Sequence, residues 1–261
     1  MPYATVGKDE IYYAERGAAL TAAPRSAPIV FVHGAAGNHL VWGEQLRALG
    51  AITRAVALDL PGHGKSQPPG RDSMDGYRDV VLGLLDALRF DRAVIVGQSM
   101  GGGIAQTLAL SHPDRVAGLV LVGTGARLHV LPAILDGILN DFENTARFVV
   151  DYSYAQPMSP SLRTLAEEQF RACPPAVTHG DYTACNAYDL LPRVAEIRAP
   201  TLVIVGSADR MTPVKYSEYL AAKIPNARRV LVEGAGHSAM IEKPTEVNRA
   251  LIDFMTEVIF R

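Results

Sequence analysis

A chain of 261 residues, 48% hydrophobic and 20% charged, is long enough to bury a sizeable core and too apolar to be an intrinsically disordered polypeptide. Its 25 Lys+Arg against 27 Asp+Glu leave a formal charge of −2, so no basic excess draws it to nucleic acid or to an anionic membrane surface. Cys173 and Cys185 are its two cysteines, too few for a disulfide framework and without metal-ligand spacing, which points to a reduced, cytoplasmic protein.

Met1–Lys8 lacks a basic stretch followed by an apolar one, so no export signal is expected. The longest apolar runs, such as Ile29-Val30-Phe31-Val32, are strand-sized and far short of a membrane span. Ile11–Glu15 alternates after the turn-like Gly7-Lys8-Asp9 and reads as part of an antiparallel hairpin at a sheet edge. Then come Ile29–His33, Ala55–Asp59, Ala93–Gly97, Leu119–Val122, Leu202–Gly206 and Arg229–Val232, mostly unbroken Val/Ile/Leu, as strands buried on both faces require.

Helical patterns fill the gaps. Asp75–Arg89 carries Val80, Leu84, Leu85 and Leu88 on one stripe, and Met100–Leu110 is small and apolar. Pro213–Ile224 and Pro244–Ile259 each begin with proline in the first turn. The alternation predicts an α/β architecture: a mostly parallel, twisted sheet flanked by helices. It lapses between Ala126 and Leu191, where only helical segments occur: Leu131–Asn140, Phe142–Tyr152, Ser161–Ala172 and Ala176–Tyr188. The expected organisation is a core from 1–125 and 191–261, with a helical cap at 126–190 inserted after the sixth strand. Open α/β sheets bind ligands at the carboxyl ends of their strands, where such a cap would shape a pocket.

Gly97-Gln98-Ser99-Met100-Gly101 is a Gly-x-Ser-x-Gly pentapeptide with an apolar strand before it and an apolar helix after it. A serine on so sharp a turn needs glycines two residues away on either side, so that strand and helix can approach. The helix N-terminus then aims free N–H groups at the reacting oxygen. A serine hydroxyl needs a base to take its proton. His237, in Gly234-Ala235-Gly236-His237-Ser238, follows the last predicted strand and opens at the same sheet edge. Asp209, in Gly206-Ser207-Ala208-Asp209, follows the neighbouring strand and supplies the carboxylate that orients the imidazole.

The rivals are weaker. His112 lies where a helix ends; His39, His129 and His179 show no neighbouring strand-end carboxylate. Asp59 enters Leu60-Pro61-Gly62-His63-Gly64 and is expected to fix that turn. Gly123-Thr124-Gly125 offers no acid. Attack on a carbonyl creates an oxyanion, for which the backbone N–H groups of Met100 and of Ala35, in His33-Gly34-Ala35-Ala36-Gly37, are the expected donors, with His33 bracing the loop. No Lys-Ser/Thr follows those glycines, as a phosphate-binding loop would need.

Together, His33-Gly34-Ala35-Ala36-Gly37, Asp59-Leu60-Pro61-Gly62-His63-Gly64-Lys65-Ser66, Gly97-Gln98-Ser99-Met100-Gly101-Gly102, Gly206-Ser207-Ala208-Asp209 and Gly234-Ala235-Gly236-His237 resemble the α/β-hydrolase superfamily over nearly the whole chain. Ser99, Asp209, His237 is the triad order of that family. The resemblance implies carboxylic-ester hydrolysis through an acyl-enzyme, with no metal or organic cofactor and a small-molecule ester as partner. Ser99 departs from the aspartate nucleophile of dehalogenases and epoxide hydrolases. Ser238 stands where carbon–carbon bond hydrolases of the family usually carry tryptophan. Lactonase, perhydrolase and carbon–carbon hydrolase remain alternatives, as does a ligand receptor with slow turnover. The oligomeric state is left open. The expected substrate pocket takes Asn38, Leu40, Val41, Trp42, Leu128, Leu131, Ile134 and Leu135, with Met100 beside them, whose apolar character suits a small or medium acyl group.

Overall fold

The computed structural model describes residues 2–17 and 27–259; Met1, residues 18–26 and residues 260–261, all within the expected core, lie outside the described residues. In chain order the strands are β1 (Tyr3–Val6), β2 (Asp9–Arg16), β3 (Ile29–Val32), β4 (Ala55–Leu58), β5 (Ala93–Gln98), β6 (Val116–Val122), β7 (Thr201–Gly206) and β8 (Ala227–Val232). The helices are α1 (Gly43–Leu49), α2 (Met74–Ala87), α3 (Met100–Ser111), α4 (Pro132–Asn140), α5 (Phe142–Ser153), α6 (Pro160–Arg171), α7 (Pro175–Ala187), α8 (Val214–Lys223), α9 (Ala239–Glu242) and α10 (Pro244–Ile259).

The eight strands form one sheet in the order β1-β2-β4-β3-β5-β6-β7-β8. β1 and β2 form the expected antiparallel hairpin, β2 lies antiparallel to β4, and the remaining strands run parallel. Strand alternation divides the core into two layers. Val30 and Val32 face the α2–α3 side with Ile95, Leu84 and Ile104. Ile29 and Phe31 face the α1–α10 side with Trp42, Leu49 and Leu251. Burial on both faces explains why these strands read as continuous apolar runs.

Three strands run at least two residues longer than the strand reading, β2 among them at Asp9–Arg16. β6 begins at Val116, where Ala117-Gly118 interrupts the apolar run, and β8 begins at Ala227. β8 is half-exposed through Arg228 and Arg229 because it closes an edge of the sheet, which weakens its apolar signature. α1 and the four-residue α9 had no visible pattern because each is too short for one.

The chain moves from β3 outward to β4, then returns to the other side of β3 with β5. The loops leaving β3 and β5 therefore separate in opposite directions and open a crevice between them, as in doubly wound sheets. The β3 loop contains Gly34–Gly37, and β5 ends beside Ser99. Helices α4–α7 all lie between β6 and β7, and α5–α7 supply the opposite wall of that crevice. No helix among the described residues is long and apolar enough to cross a membrane.

Candidate active site

Ser99 has φ +52° and ψ −116°, a conformation rare for any L-residue, between β5 and α3. The close approach of strand and helix makes it possible. A Cβ on Gly97 would lie 2.1 Å from the Gly101 carbonyl oxygen, and one on Gly101 would lie 2.3 Å from the Val32 carbonyl oxygen. The Ser99 backbone is held by its N–H donating to Val122 O (3.0 Å) and its carbonyl accepting from Thr124 Oγ1 (2.8 Å). The strain is thus fixed by the surrounding sheet and leaves the side chain at the cavity wall.

His237 and Asp209 meet because the turns after β7 and β8 are in backbone contact: Ala208 N–H donates to Ala235 O (2.8 Å), and a Cβ on Gly206 would overlap that same oxygen. His237 Nδ1 lies 3.0 Å from Asp209 Oδ2. The other carboxylate oxygen accepts from the backbone N–H groups of Met211 (2.9 Å) and Thr212 (2.8 Å), and Thr212 Oγ1 donates to Oδ2 at 2.9 Å. Burial acts to raise the Asp209 carboxyl. The charge and hydrogen bond of His237 and the donors of Thr212 outweigh it and hold the group below the ordinary carboxylate range. Asp209 therefore stays ionised, and the Nδ1 proton is directed to it.

Ser99, His237, Gly34 and Ala35 line one cavity of about 120 Å³. The N–H groups of Ala35 and Met100 donate to no acceptor among the described residues. Close packing joins the two loops, since a Cβ on Gly34 would sit 3.2 Å from Ser99 Cβ. His33 Nε2 accepts the Leu60 N–H (3.1 Å), so Nδ1 carries the proton and donates to Gly34 O (2.8 Å). Complete burial, reinforced by His63, pushes this imidazole down to about 4. It is a neutral brace for the loop.

Two further buried histidine–aspartate pairs occur among the described residues. His39 Nδ1 lies 2.9 Å from Asp59 Oδ1, correcting the reading that His39 has no strand-end carboxylate. Asp59 also accepts from Lys65 N (2.9 Å) and so holds the turn after β4. His63 pairs with Asp181 of α7 at 2.8 Å. Neither pair borders the Ser99 cavity; only His237–Asp209 presents its histidine there.

The expected pocket is largely displaced. Of its eight positions Val41 alone lines the cavity. Trp42 is fully buried against Phe31, and Leu128, Ile134 and Leu135 pack into the core, as does Met100. Leu131 is exposed, while Leu40 borders an adjoining groove of about 390 Å³. Asn38 caps the short helix His39–Trp42, its Oδ1 accepting from Leu40 N (2.9 Å). The cavity wall comes instead from α5–α7, notably Val149, Val150, Tyr154, Gln169, Phe170 and Tyr182. Apolar periodicity finds a helix's buried side but does not separate core from cavity. Glu242 was also unforeseen: its two carboxylate oxygens accept from Gly236 N (2.9 Å) and Ala155 N (2.8 Å), tying the His237 loop to the α5–α6 connection.

The sequence profile of the alpha/beta hydrolase fold matches residues 27–244. A 2-hydroxy-6-oxo-6-phenylhexa-2,4-dienoate hydrolase of Comamonas testosteroni is 29% identical over 259 residues, covering 88% of this chain and 87% of its own. The enol-lactonase of Burkholderia xenovorans LB400 superposes with a TM-score of 0.90 at 27% identity, over 98% of this chain and 100% of that one. A thermophilic esterase superposes with a TM-score of 0.85 at 33% identity, over 98% and 97% of the two chains. With the profile spanning most of its length and these likenesses covering nearly all of it, the chain belongs to the α/β-hydrolase fold family and is a hydrolase of that family.

Proposed function

We propose that the protein hydrolyses carboxylic esters of small or medium, largely apolar substrates through a covalent acyl-enzyme. Residues 126–190 act as a cap over a core formed by 1–125 and 191–261. The reading is carried by one observation: a strained serine and an aspartate-paired histidine border the same cavity as Ala35, and the N–H groups of Ala35 and of Met100, next to the serine, meet no acceptor among the described residues.

In this mechanism Ser99 Oγ attacks the ester carbonyl carbon while His237 Nε2 takes the hydroxyl proton. The imidazolium is stabilised through Nδ1–H by Asp209. The N–H groups of Ala35 and Met100 hold the oxyanion, each worth about 2.7–4 kcal/mol of barrier in comparable sites. The tetrahedral intermediate collapses, the C–O bond breaks, and His237 returns its proton to the leaving alkoxide. Water, deprotonated by His237, then attacks the acyl carbon; the bond to Ser99 Oγ breaks, His237 returns the proton to Oγ, and the acid is freed. Every proton is moved by His237, so no step calls for a cofactor. The cavity's small volume and the apolar Val149, Val150 and Phe170 favour a short acyl group, and the adjoining groove leaves room for a longer arm.

A second reading, hydrolysis of a carbon–carbon bond in a vinylogous diketone, is supported by the name of the Comamonas relative. Ser238, where those enzymes usually have tryptophan, favours the ester. The test is a panel of short and long nitrophenyl esters, lactones and vinylogous diketones, with fluorophosphonate labelling followed by mass spectrometry. The expected outcome is stoichiometric modification of Ser99 and turnover fastest on short esters, reduced about a thousandfold or more in Ser99→Ala. Faster turnover of the diketones would move the assignment to carbon–carbon cleavage. Ligand binding without turnover would overturn it in favour of a receptor.

A further inference from the structure

Asp181 lies on α7, within the inserted helices, yet none of its surface is exposed. Its Oδ2 accepts the Ala36 N–H at 2.8 Å and faces His63 Nε2 at 2.8 Å; its Oδ1 accepts the Tyr77 hydroxyl at 2.5 Å. The other ring nitrogen of His63 faces the Pro61 carbonyl at 3.0 Å. Both nitrogens therefore face acceptors and both carry hydrogen, making His63 an imidazolium paired with the carboxylate. One side chain of the insert thus gathers the loop after β3, the turn after β4 and α2.

Ala36 is the informative partner. It has φ +54°, in the left-handed region where an alanine is strained. It directly follows Ala35, whose N–H is the proposed oxyanion donor. Capture of the Ala36 N–H by Asp181 fixes the peptide plane between the two alanines, and so the Ala35 ψ that joins it to the preceding plane carrying the Ala35 N–H, which meets no acceptor among the described residues. The local turn has only one other backbone closure, Gly37 N–H to Gly34 O at 3.1 Å. A desolvated ion pair is a poor way to fasten helices that already share an apolar core, and its distinctive product is a single defined geometry.

We propose that Asp181 is a positioning residue that holds the β3 loop in its oxyanion-donating conformation, so that the docked insert and a competent oxyanion site come together. This rests on the reading of Ala35 as an oxyanion donor. The test compares wild type, Asp181→Asn and the double variant Asp181→Asn/Ala36→Gly. It uses amide hydrogen exchange on the peptide spanning 33–39 and steady-state kinetics with p-nitrophenyl acetate. Asparagine keeps the size of the side chain while removing the charge that pairs with His63 and one of the two acceptor oxygens.

The expected result for Asp181→Asn is exchange in that peptide faster by about tenfold and kcat lower by about tenfold, with KM within about twofold. Adding Ala36→Gly recovers about a third or more of the lost kcat, because glycine takes positive φ without a tether. Unchanged exchange in the loop would overturn the proposal. So would faster exchange with kcat intact, or a uniform rise in exchange across α4–α7 with no effect of Ala36→Gly, which would assign Asp181 to stability alone. If the wild-type chain turns over no ester, the esterase reading fails, while exchange at 33–39 still decides whether Asp181 holds the loop.

Discussion

Gly123 shows how little room the site leaves around one residue. It follows β6 with φ +51°, and a Cβ there would lie 3.2 Å from His237 Nδ1, 3.3 Å from Asp209 Oδ2 and 3.0 Å from the His237 carbonyl oxygen. Gly123→Ala therefore combines a left-handed alanine with pressure on the hydrogen bond that orients the imidazole. The expected outcome is a loss of about 1–2 kcal/mol in urea unfolding and a fall in kcat of about tenfold or more, with KM nearly unchanged. An active variant with wild-type kcat would show that the imidazole is held elsewhere. Ser99 has the same character: its backbone is distorted and glycines stand two residues away on either side, so the sequence exposes it through the spacing of residues that have no side chain. Thr212 has no such marker. Its hydroxyl reaches Asp209 Oδ2 at 2.9 Å and lies 3.2 Å from His237 Nδ1, but a threonine three residues after an aspartate is ordinary in a loop.

At the scale of elements, α9 is the shortest α-helix among the described residues, and its Met240 and Ile241 line the cavity. Its last residue, Glu242, binds Gly236 N–H with one oxygen and Ala155 N–H with the other, while Ser238 N–H donates to Ser153 O at 3.1 Å. The His237 loop is thus joined on one side to the sheet and on the other to the end of α5. Gly236 allows the contact, since a Cβ there would lie 2.6 Å from Ala155 N. Glu242→Ala should lower stability by about 2 kcal/mol and reduce kcat, whereas Glu242→Gln, which retains one acceptor, should lose about half as much. Urea unfolding and ester turnover measured on both variants check this; equal effects of the two substitutions would mean that the carboxylate charge, not the two acceptors, is what matters. The strand-to-helix alternation of the core was legible because each element repeats one simple period. The function of α9 was not, because four residues define no period and its partners lie 87 and 6 positions away in sequence.

For the whole molecule, the buried histidines set the pH dependence of stability. Burial, with the charge of His63 adding to it, pushes His33 down to about 4, against the nearby Asp59 and Asp181. Between pH 4 and 6.5 the unfolded chain then binds a proton at this position that the folded chain does not, so stability rises with pH through that window, by about 3 kcal/mol in all. For His63, burial acts downward but the charge and hydrogen bond of Asp181 prevail and raise it well above its ordinary value. Its contribution is fully present below pH 6.5 and is lost as pH rises through the folded value. Stability should therefore peak near pH 6.5, measurable by urea unfolding at several pH values. His33→Gln, which retains an acceptor for the Leu60 N–H, should flatten the limb between pH 4 and 6.5. A wild-type profile that is flat there would show that His33 is protonated in the folded state.

The amino-acid order alone determined the sheet and the identity of the three triad candidates. Apolar runs report strands buried on both faces, and Ser99, Asp209 and His237 each sit just past a strand at the same edge, so chain connectivity is enough to bring them to one side. The pocket wall, the Asp181 tether and the pairing of His39 with Asp59 were decided only by tertiary structure. Leu128, Ile134, Val149 and Phe170 are all buried or nearly so, and nothing in their spacing says which bury against core and which against the cavity. That depends on how the inserted helices rotate as they dock, a choice made by contacts such as Asp181 with Ala36, 145 residues apart in sequence, that no local pattern encodes.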